Sequence, residues 1–321
     1  MKYIKGMTLI ELMISIAIGL IVSAAAMQLF LTASVNYNLQ KNLAELQDNG
    51  NFGLNYIIKD IKLANLDAEL AVINDRNKYS GVVFTSIKSY AGLTEEEKET
   101  QSANLPLHLT NETVNIANLT MGAEGVSNVD VKSDQLVIQY RAFDPNGVDC
   151  EGGAITQDEI DEGTFIVQRY FLRTDGDAGN LALVCDAGRY KTIVPTSLLP
   201  TSITGLGVQS QIIMRRVDYF HVLLGVKQND SDNFRYMTIQ DYIGTSNELE
   251  VNGTPRPRIM SIQLGVLTRG YDTVGDGNPV VNNFKVLDQD VTLKANDSNY
   301  VREIVSQTVA LRNGYGLMEE L

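Results

Sequence analysis

The sequence predicts an α+β fold, in which one long N-terminal helix packs on a mostly antiparallel, β-rich globular domain. Three observations lead to this prediction. No charged residue occurs from Leu12 to Gln40, a stretch of 29 residues, and no proline precedes Pro106. After Leu66 the chain changes to short runs rich in Val, Ile, Tyr and Phe between polar turns, a composition that favours strands.

Composition excludes several classes of function. The 321 residues carry a formal net charge of −13, which repels phosphate backbones, so we expect no nucleic-acid partner. The two cysteines, Cys150 and Cys185, do not form a CxxC pair, and only two histidines are present. These counts are too low for the usual zinc sites and imidazole-rich catalytic centres. We therefore expect no metal, no cofactor and no enzymatic activity.

The first half of the predicted helix is long enough to cross a membrane, since about 20 apolar residues suffice. Lys2 and Lys5 precede this stretch, and a long acidic domain follows it. The positive-inside rule then predicts the N-terminus on the cytoplasmic side of the membrane and the domain on the outer side. A cleaved secretory signal is the alternative, with Ser23 to Ala26 as its cleavage site, but the apolar pattern continues past it to Leu31.

The second half of the helix, from Asn38 to Asn65, is amphipathic. Apolar residues recur there at helical spacing, and Gly50 and Gly53 fall among them. The two glycines would let a sheet approach the helix closely. A kink or break near Gly50 remains the alternative, because Asp48-Asn49-Gly50 also resembles a turn.

The globular part contains eight candidate strands and no βαβ alternation, which favours an antiparallel arrangement. One extended sheet and two packed sheets are both compatible with the pattern. The candidate strands are Gly81–Ile87, Leu136–Ala142, Phe165–Arg173, Leu181–Cys185, Tyr219–Val226, Phe234–Tyr242, Ile259–Arg269 and Tyr300–Arg312.

Cys150 and Cys185 both follow the apolar stretch, in the compartment expected to be oxidising. A disulfide between them would close a loop of 36 residues, counting both ends, and would stabilise the fold by about 4 kcal/mol. The alternative is a pair of buried free thiols.

Other motifs favour structural interpretations. The segment from Asp272 to Asn278 resembles the start of a calcium loop, but it lacks ligands that the loop needs and is better explained as a hairpin turn. Asp175-Gly176-Asp177 also predicts a turn. The segment from Thr94 to Glu97 fits a capping box that opens a short surface helix. We interpret His108 and His221 as structural residues.

Glu11 is the one charge in the apolar run that begins at Gly6. A carboxylate in such a run costs free energy, so Glu11 is a candidate for a functional role. The string Gly6-Met7-Thr8-Leu9-Ile10-Glu11 closely resembles the signal of type IV prepilins. The resemblance implies cleavage by the prepilin peptidase after Gly6, N-methylation of Met7, and retention of the helix. It also implies that Glu11 neutralises a buried terminal amine and sets the register of assembly. The family usually has Phe at the position of Met7.

Residues 47–65, QDNGNFGLNYIIKDIKLAN, resemble the helix of PilW-type minor pilins, as do later segments such as LALVCD and VSQTVALRN. The resemblance implies a type IV pilin-like fold and a minor pilin in the initiation or tip complex of a pilus. Its partners would be other minor pilins and the major pilin, in the inner membrane and then in the fibre. A tip adhesin and a pseudopilin of type II secretion are the alternatives.

We therefore expect four segments. They are a leader at 1–6, a transmembrane helix at 7–34, its amphipathic continuation at 35–66 and a periplasmic β-rich domain at 67–321.

Overall fold

In the part of the chain that it describes, the computed structural model has one long helix followed by two antiparallel sheets and a small hairpin, so the predicted fold class is confirmed. The structure describes residues 6–68, 70–86, 103–105, 119–176, 179–192, 203–227, 233–244, 256–273, 281–294 and 300–314.

Helix α1 comprises Leu9–Ile61, 53 residues, and continues through Gly50 without interruption. Its side chains are exposed from its start to Lys41, and the buried ones begin at Asn42. The helix therefore divides into a free half and a half that packs on the domain. It is long and apolar enough to cross a membrane, as the sequence predicted.

The first sheet has five antiparallel strands that neighbour one another in chain order. They are β1 (Met121–Gly125), β2 (Ser133–Arg141), β3 (Phe165–Thr174), β4 (Leu181–Tyr190) and β5 (Gln211–Arg215). A short helix, α2 (Gln157–Asp161), precedes β3 and begins with a capping box at Thr156.

The second sheet has four antiparallel strands in the order β11-β8-β6-β7. They are β6 (Val217–Lys227), β7 (Phe234–Thr238), β8 (Arg258–Thr273) and β11 (Tyr300–Ala310). The hairpin of β9 (Asn283–Val286) and β10 (Gln289–Thr292) packs beside this sheet. Of the two arrangements that the sequence allowed, one extended sheet or two packed sheets, the structure therefore has two sheets.

The main core lies between α1 and both sheets. Completely buried residues of the helix, Leu54, Ile57 and Ile61, pack there with Leu183 of β4 and Phe220 of β6. Burying one such side chain contributes about 1.5–3 kcal/mol, so this cluster holds the helix on the domain.

Two predicted strands are partly wrong. The run Phe234–Tyr242 is a strand only to Thr238, because the Thr238 side chain accepts a hydrogen bond from Asp241 N at 3.0 Å and caps helix α3 (Ile239–Ile243). The run from Gly81 forms only an isolated bridge, between Val82 and Ile138, and Ile87 lies outside the described residues.

The other six candidates correspond to observed strands, with shifted ends. The candidate Leu181–Cys185 continues to Tyr190, and the candidate Tyr300–Arg312 ends at Ala310, before a 3-10 turn at Arg312–Gly314.

Several predictions fall on residues that the structure does not describe. They concern residues 1–5 of the leader, the segment from Thr94 to Glu97, His108, Asp177, and the turn at Asp276-Gly277.

Candidate functional site

The N-terminus of α1 begins with a capping box made by Thr8 and Glu11. The Thr8 hydroxyl oxygen accepts a hydrogen bond from Glu11 N at 3.3 Å, and Glu11 Oε2 accepts one from Thr8 N at 3.1 Å. The same Oε2 atom lies 3.2 Å from the Thr8 hydroxyl. Both residues thereby satisfy backbone donors that the first turn of a helix leaves free.

Glu11 thus has a local structural task that the sequence analysis missed. The signal for it is the spacing Thr8-x-x-Glu11 before an apolar run, which is the capping-box pattern. Gly6 and Met7 lie just before the helix, and both are exposed. The negative charge of Glu11 also lies at the positive end of the helix dipole, which is favourable.

The free half of α1 exposes a continuous apolar surface. Leu9, Ile21 and Phe30 there are 69–76% exposed. A patch of this size on a monomer indicates a surface that membrane or protein covers. Other side chains of this surface are Ile10, Leu12, Met13, Ile14, Ile16, Ile18, Leu20, Val22, Met27, Leu29 and Leu31.

Two glycines allow the docked half of α1 to approach the sheets. A Cβ atom on Gly50 would lie 2.5 Å from Cγ2 of Val305 in β11. A Cβ atom on Gly53 would lie 2.5 Å from Cε of Met214 in β5. The close approach expected from the sequence is therefore present, with one glycine against each sheet.

A buried polar contact holds the C-terminal end of the docked half of α1. The Asp60 carboxyl group is 7% exposed and lies 2.9 Å from the Tyr170 hydroxyl. Burial raises the pKa of Asp60 to about 6, against the opposing effects of the Tyr170 hydrogen bond and of Lys59. Burial and the nearby Asp60 also raise the pKa of Tyr170, so the Tyr170 hydroxyl stays protonated.

A disulfide joins Cys150 to Cys185, with Cα atoms 6.1 Å apart. It ties the loop after β2 to the middle of β4, inside the main core. The Tyr56 hydroxyl of α1 donates a hydrogen bond to the Cys150 carbonyl at 3.2 Å, so the same loop also contacts the helix.

His221 lies between two carboxylates from different parts of the fold. Nδ1 is 2.7 Å from Oδ2 of Asp134 in β2, and Nε2 is 2.9 Å from Oδ1 of Asp288 in the β9–β10 turn. Asp134 also accepts hydrogen bonds from two backbone N–H groups, those of Ala123 and Val222. The contacts are those of a structural clamp, and within the described residues no group of His, Cys, Asp and Glu side chains could hold a metal ion.

Two family models match the chain. The model of the prokaryotic N-terminal methylation motif matches residues 1–27. The model of type IV pilus-assembly protein W, PilW, matches residues 169–313. A solved type IV-like pilin from Thermus thermophilus is similar over 59% of this chain and 81% of its own, with 15% identity and a TM-score of 0.30. No curated protein matches the chain.

The N-terminal motif, the apolar helix that follows it and the antiparallel β domain support one class of protein: the chain is similar to type IV pilins. Within that class it is PilW-like, because the PilW match runs from β3 to the 3-10 turn after β11 and includes strands of both sheets. The family is one of minor pilins, which are structural proteins that interact with other pilins.

Proposed function

We propose that this chain is a minor pilin that takes part in the initiation or tip complex of a type IV pilus. The observation that carries the proposal is the single helix α1, one half of which is apolar and exposed while the other half is docked on the domain. Such a helix can anchor the subunit in the membrane and later pack among the helices of other subunits. The chain would act as a structural component and not as a catalyst.

The proposed maturation uses the N-terminal motif. Prepilin peptidase cuts between Gly6 and Met7, and the new N-terminus at Met7 is methylated. Both residues are exposed ahead of the capped helix, which leaves the bond accessible. The capping box begins at Thr8, so removal of the leader leaves the start of the helix intact.

The proposed topology follows from the same helix. Segment 7–34 spans the inner membrane, 35–66 continues the helix in the periplasm, and 67–321 forms the periplasmic domain. The Cys150–Cys185 disulfide supports this placement, because disulfides persist in oxidising compartments. Contacts with the major pilin and with other minor pilins then place the chain in the fibre.

Deletion of the gene in its own organism tests the role. We expect few or no pili in the sheared fraction, and a return to wild-type amounts when the full chain is supplied from a plasmid. Wild-type amounts of pili without the chain would contradict an assembly role. Normal pili that no longer attach to a surface would indicate an adhesin instead.

Mass spectrometry of the membrane-extracted protein tests maturation. The expected N-terminal peptide begins at methylated Met7, and Gly6→Ala leaves it unchanged or mildly reduced. A large residue at position 6 blocks cleavage. Recovery of the intact Met1 terminus from cells with an active peptidase would refute the proposed processing.

A further inference from the structure

Phe52 is the exception among the large apolar side chains in the docked half of α1. Its side chain is 77% exposed, whereas Leu54 and Ile57, two and five residues further along the helix, are completely buried. A single exposed aromatic is common on protein surfaces and indicates nothing alone. The surroundings of Phe52 decide whether it belongs to an interface.

A polar pocket lies at Asn49, about one helical turn before Phe52. Its volume is about 360 Å³, and its lining includes Asn49, Arg173, Arg215 and Tyr271. Asn49 precedes Phe52 by three residues, so the two side chains are neighbours on one side of the helix. The Asn49 amide donates a hydrogen bond to the Arg215 carbonyl at 3.0 Å, which fixes the helix against the pocket. We call these five residues the shoulder surface.

The shoulder surface is positively charged on a strongly acidic chain. Arg173 is held by its Nε atom, which donates a hydrogen bond to the Ser210 hydroxyl at 2.8 Å. Arg215 pairs with Asp175, and its side chain is still 52% exposed. Next to them the Arg216 guanidinium lies over the Tyr271 ring, 4.8 Å from its centroid.

Of these arginines, Arg215 is paired with the carboxylate of Asp175 and Arg216 lies over the Tyr271 ring, while the whole chain carries −13. Arginine and aromatic residues are the types most enriched at the centres of interfaces. The local charge therefore fits a partner that presents a carboxylate together with apolar groups.

The position of Phe52 along α1 helps to decide whether lipid or protein covers the shoulder surface. Phe52 is 21 residues after Leu31, which corresponds to about 32 Å of helix, too far from the apolar segment to reach lipid headgroups. The shoulder surface lies further along the same helix, so a subunit that packs along the free half of α1 can extend to it. Two copies of this chain repel each other because each carries −13.

We propose that the shoulder surface docks a different pilin subunit, which places apolar groups against Phe52 and a carboxylate between Arg173 and Arg215. This inference rests on the proposed function, because it takes the partner from the same assembly. It adds to that function a defined surface and the chemistry of the partner.

Photo-crosslinking in the living cell tests the proposal. The full chain carries a photoreactive phenylalanine analogue at position 52, or at the control position 51, where Asn51 is exposed one residue away in the same turn. We expect position 52 to give an adduct with a different pilin, identified by mass spectrometry of its peptides. We expect position 51 to give at least fivefold less of that adduct.

Charge variants test the second part. Arg173→Glu with Arg215→Glu, in the position-52 background, is expected to lower the adduct at least fivefold. Arg235→Glu is the matched control, because Arg235 is an exposed arginine on β7 and not on the shoulder surface. A thermal unfolding midpoint equal to that of the parent shows that each variant is folded. If the double variant does not fold, Arg215→Ala alone replaces it, with an expected loss of at least twofold.

Four outcomes would overturn the inference: equal adducts at positions 51 and 52, an adduct only with lipid, an adduct only with a second copy, or an adduct that the arginine variants leave unchanged. A chain that is required for piliation and gives one of these results would retain its proposed function and lose only the docking surface. A chain that is dispensable for piliation would lose the proposed function itself.

Discussion

The Oδ2 atom of Asp60 lies 2.9 Å from the hydroxyl oxygen of Tyr170, at the point where the long helix ends against the five-stranded sheet. The same hydroxyl is 3.0 Å from Oε1 of Gln168. One hydroxyl proton cannot be donated to both acceptors. Both contacts become hydrogen bonds when Asp60 is protonated, since its carboxyl group then donates to Tyr170 while Tyr170 donates to Gln168.

Replacing Asp60 by Asn is expected to stabilise the protein at neutral pH. The amide can donate to Tyr170 as the protonated carboxyl does, and it carries no charge to bury. The pKa of Asp60 is about 6 in the folded state, against an ordinary value of 3.8. The folded state therefore retains a proton that the unfolded state releases, and wild-type stability falls as the pH rises from about 4 to about 7.

The shift corresponds to about 3 kcal/mol, so Asp60→Asn should gain about 1–3 kcal/mol at pH 8 and little at pH 4. Denaturant unfolding of the full chain in detergent at a series of pH values measures both. Asp158→Asn on the exposed side of α2 is the control for the substitution itself. Parallel pH profiles for wild type and Asp60→Asn would contradict the protonated-carboxyl interpretation.

A second pH effect of the same sign, but at higher pH, is expected at His221. Burial acts to lower its pKa, but the hydrogen bonds and negative charges of Asp134 and then Asp288 outweigh burial and raise the pKa. A neutral imidazole could donate to only one of the two carboxylates. The clamp therefore contributes stability that is complete below the unfolded pKa of about 6.5 and is lost as the pH rises through the raised folded value.

Asp288→Asn removes one of the two charges without changing the shape of the turn. We expect the pKa of His221 to fall toward its ordinary value, and the pH dependence of stability above pH 6.5 to become shallower. An NMR titration of the imidazole signals measures the change, and His221→Gln assigns the signal, since the chain has only two histidines. An unchanged pKa in Asp288→Asn would mean that this contact contributes nothing to the clamp.

Gly50 and Gly53 lie within one turn of the docked half of α1, so the same alanine substitution can be compared at the two positions. Alanine favours a helix over glycine by about 1 kcal/mol. A Gly→Ala substitution would therefore stabilise the protein at a site where the new methyl group has room. At Gly50 the new methyl group would meet the branched side chain of Val305, which has little freedom to move, whereas at Gly53 the nearest atom is the flexible end of Met214.

We therefore expect Gly50→Ala to lower the free energy of unfolding by about 1–3 kcal/mol, as overpacking does. Gly53→Ala should cost less. Combining Gly50→Ala with Val305→Ala should recover part of the loss, because the obstructing methyl groups are gone. If Gly50→Ala is more stable than wild type, the close approach at Val305 is not a constraint.

Much of the architecture followed from local pattern. The helix could be predicted through Gly50 because its apolar stripe keeps the same register on both sides of Asp48-Asn49-Gly50. The strands of the main core, such as β3 and β6, are long and rich in β-branched and aromatic residues. The short edge strands β1 and β5 and the hairpin of β9 and β10 were missed, because most of their residues are exposed or half exposed and carry no strong alternation.

The candidate functional residues also divide into those that local sequence predicts and those that only the fold brings together. The N-terminal motif is contiguous, so the sequence alone was enough to propose Gly6, Met7 and Glu11. The shoulder surface could not be proposed in this way, because Phe52 and Asn49 lie more than 120 residues from Arg173 and only the docking of α1 on β5 brings them together. The clamp at His221 likewise depends on Asp134 and Asp288, which are distant in the chain and lie on separate elements.

Glu11→Gln separates the two tasks of Glu11. Glutamine is as suitable as glutamate at the third helical position of a capping box, so the bonds to Thr8 and the start of α1 should survive. Membrane insertion should also survive, since the span becomes less polar, and cleavage after Gly6 should continue because the peptidase signal centres on Gly6 and the apolar run. Only the negative charge is lost.

In an assembled bundle the charge of Glu11 would neutralise the terminal amine of Met7, its own or a neighbour's. Without it a buried cation is left without a partner, at a cost of about 3–5 kcal/mol, so we expect Glu11→Gln to enter sheared pili at no more than a hundredth of the wild-type ratio to the membrane pool. Glu11→Ala, which removes both the charge and the cap, is the comparison, and it should show an additional loss of helix at the N-terminus. Equal ratios of pilus to membrane protein for wild type and Glu11→Gln, with pili assembled in both strains, would mean that Glu11 serves as a helix cap and that its charge has no part in assembly.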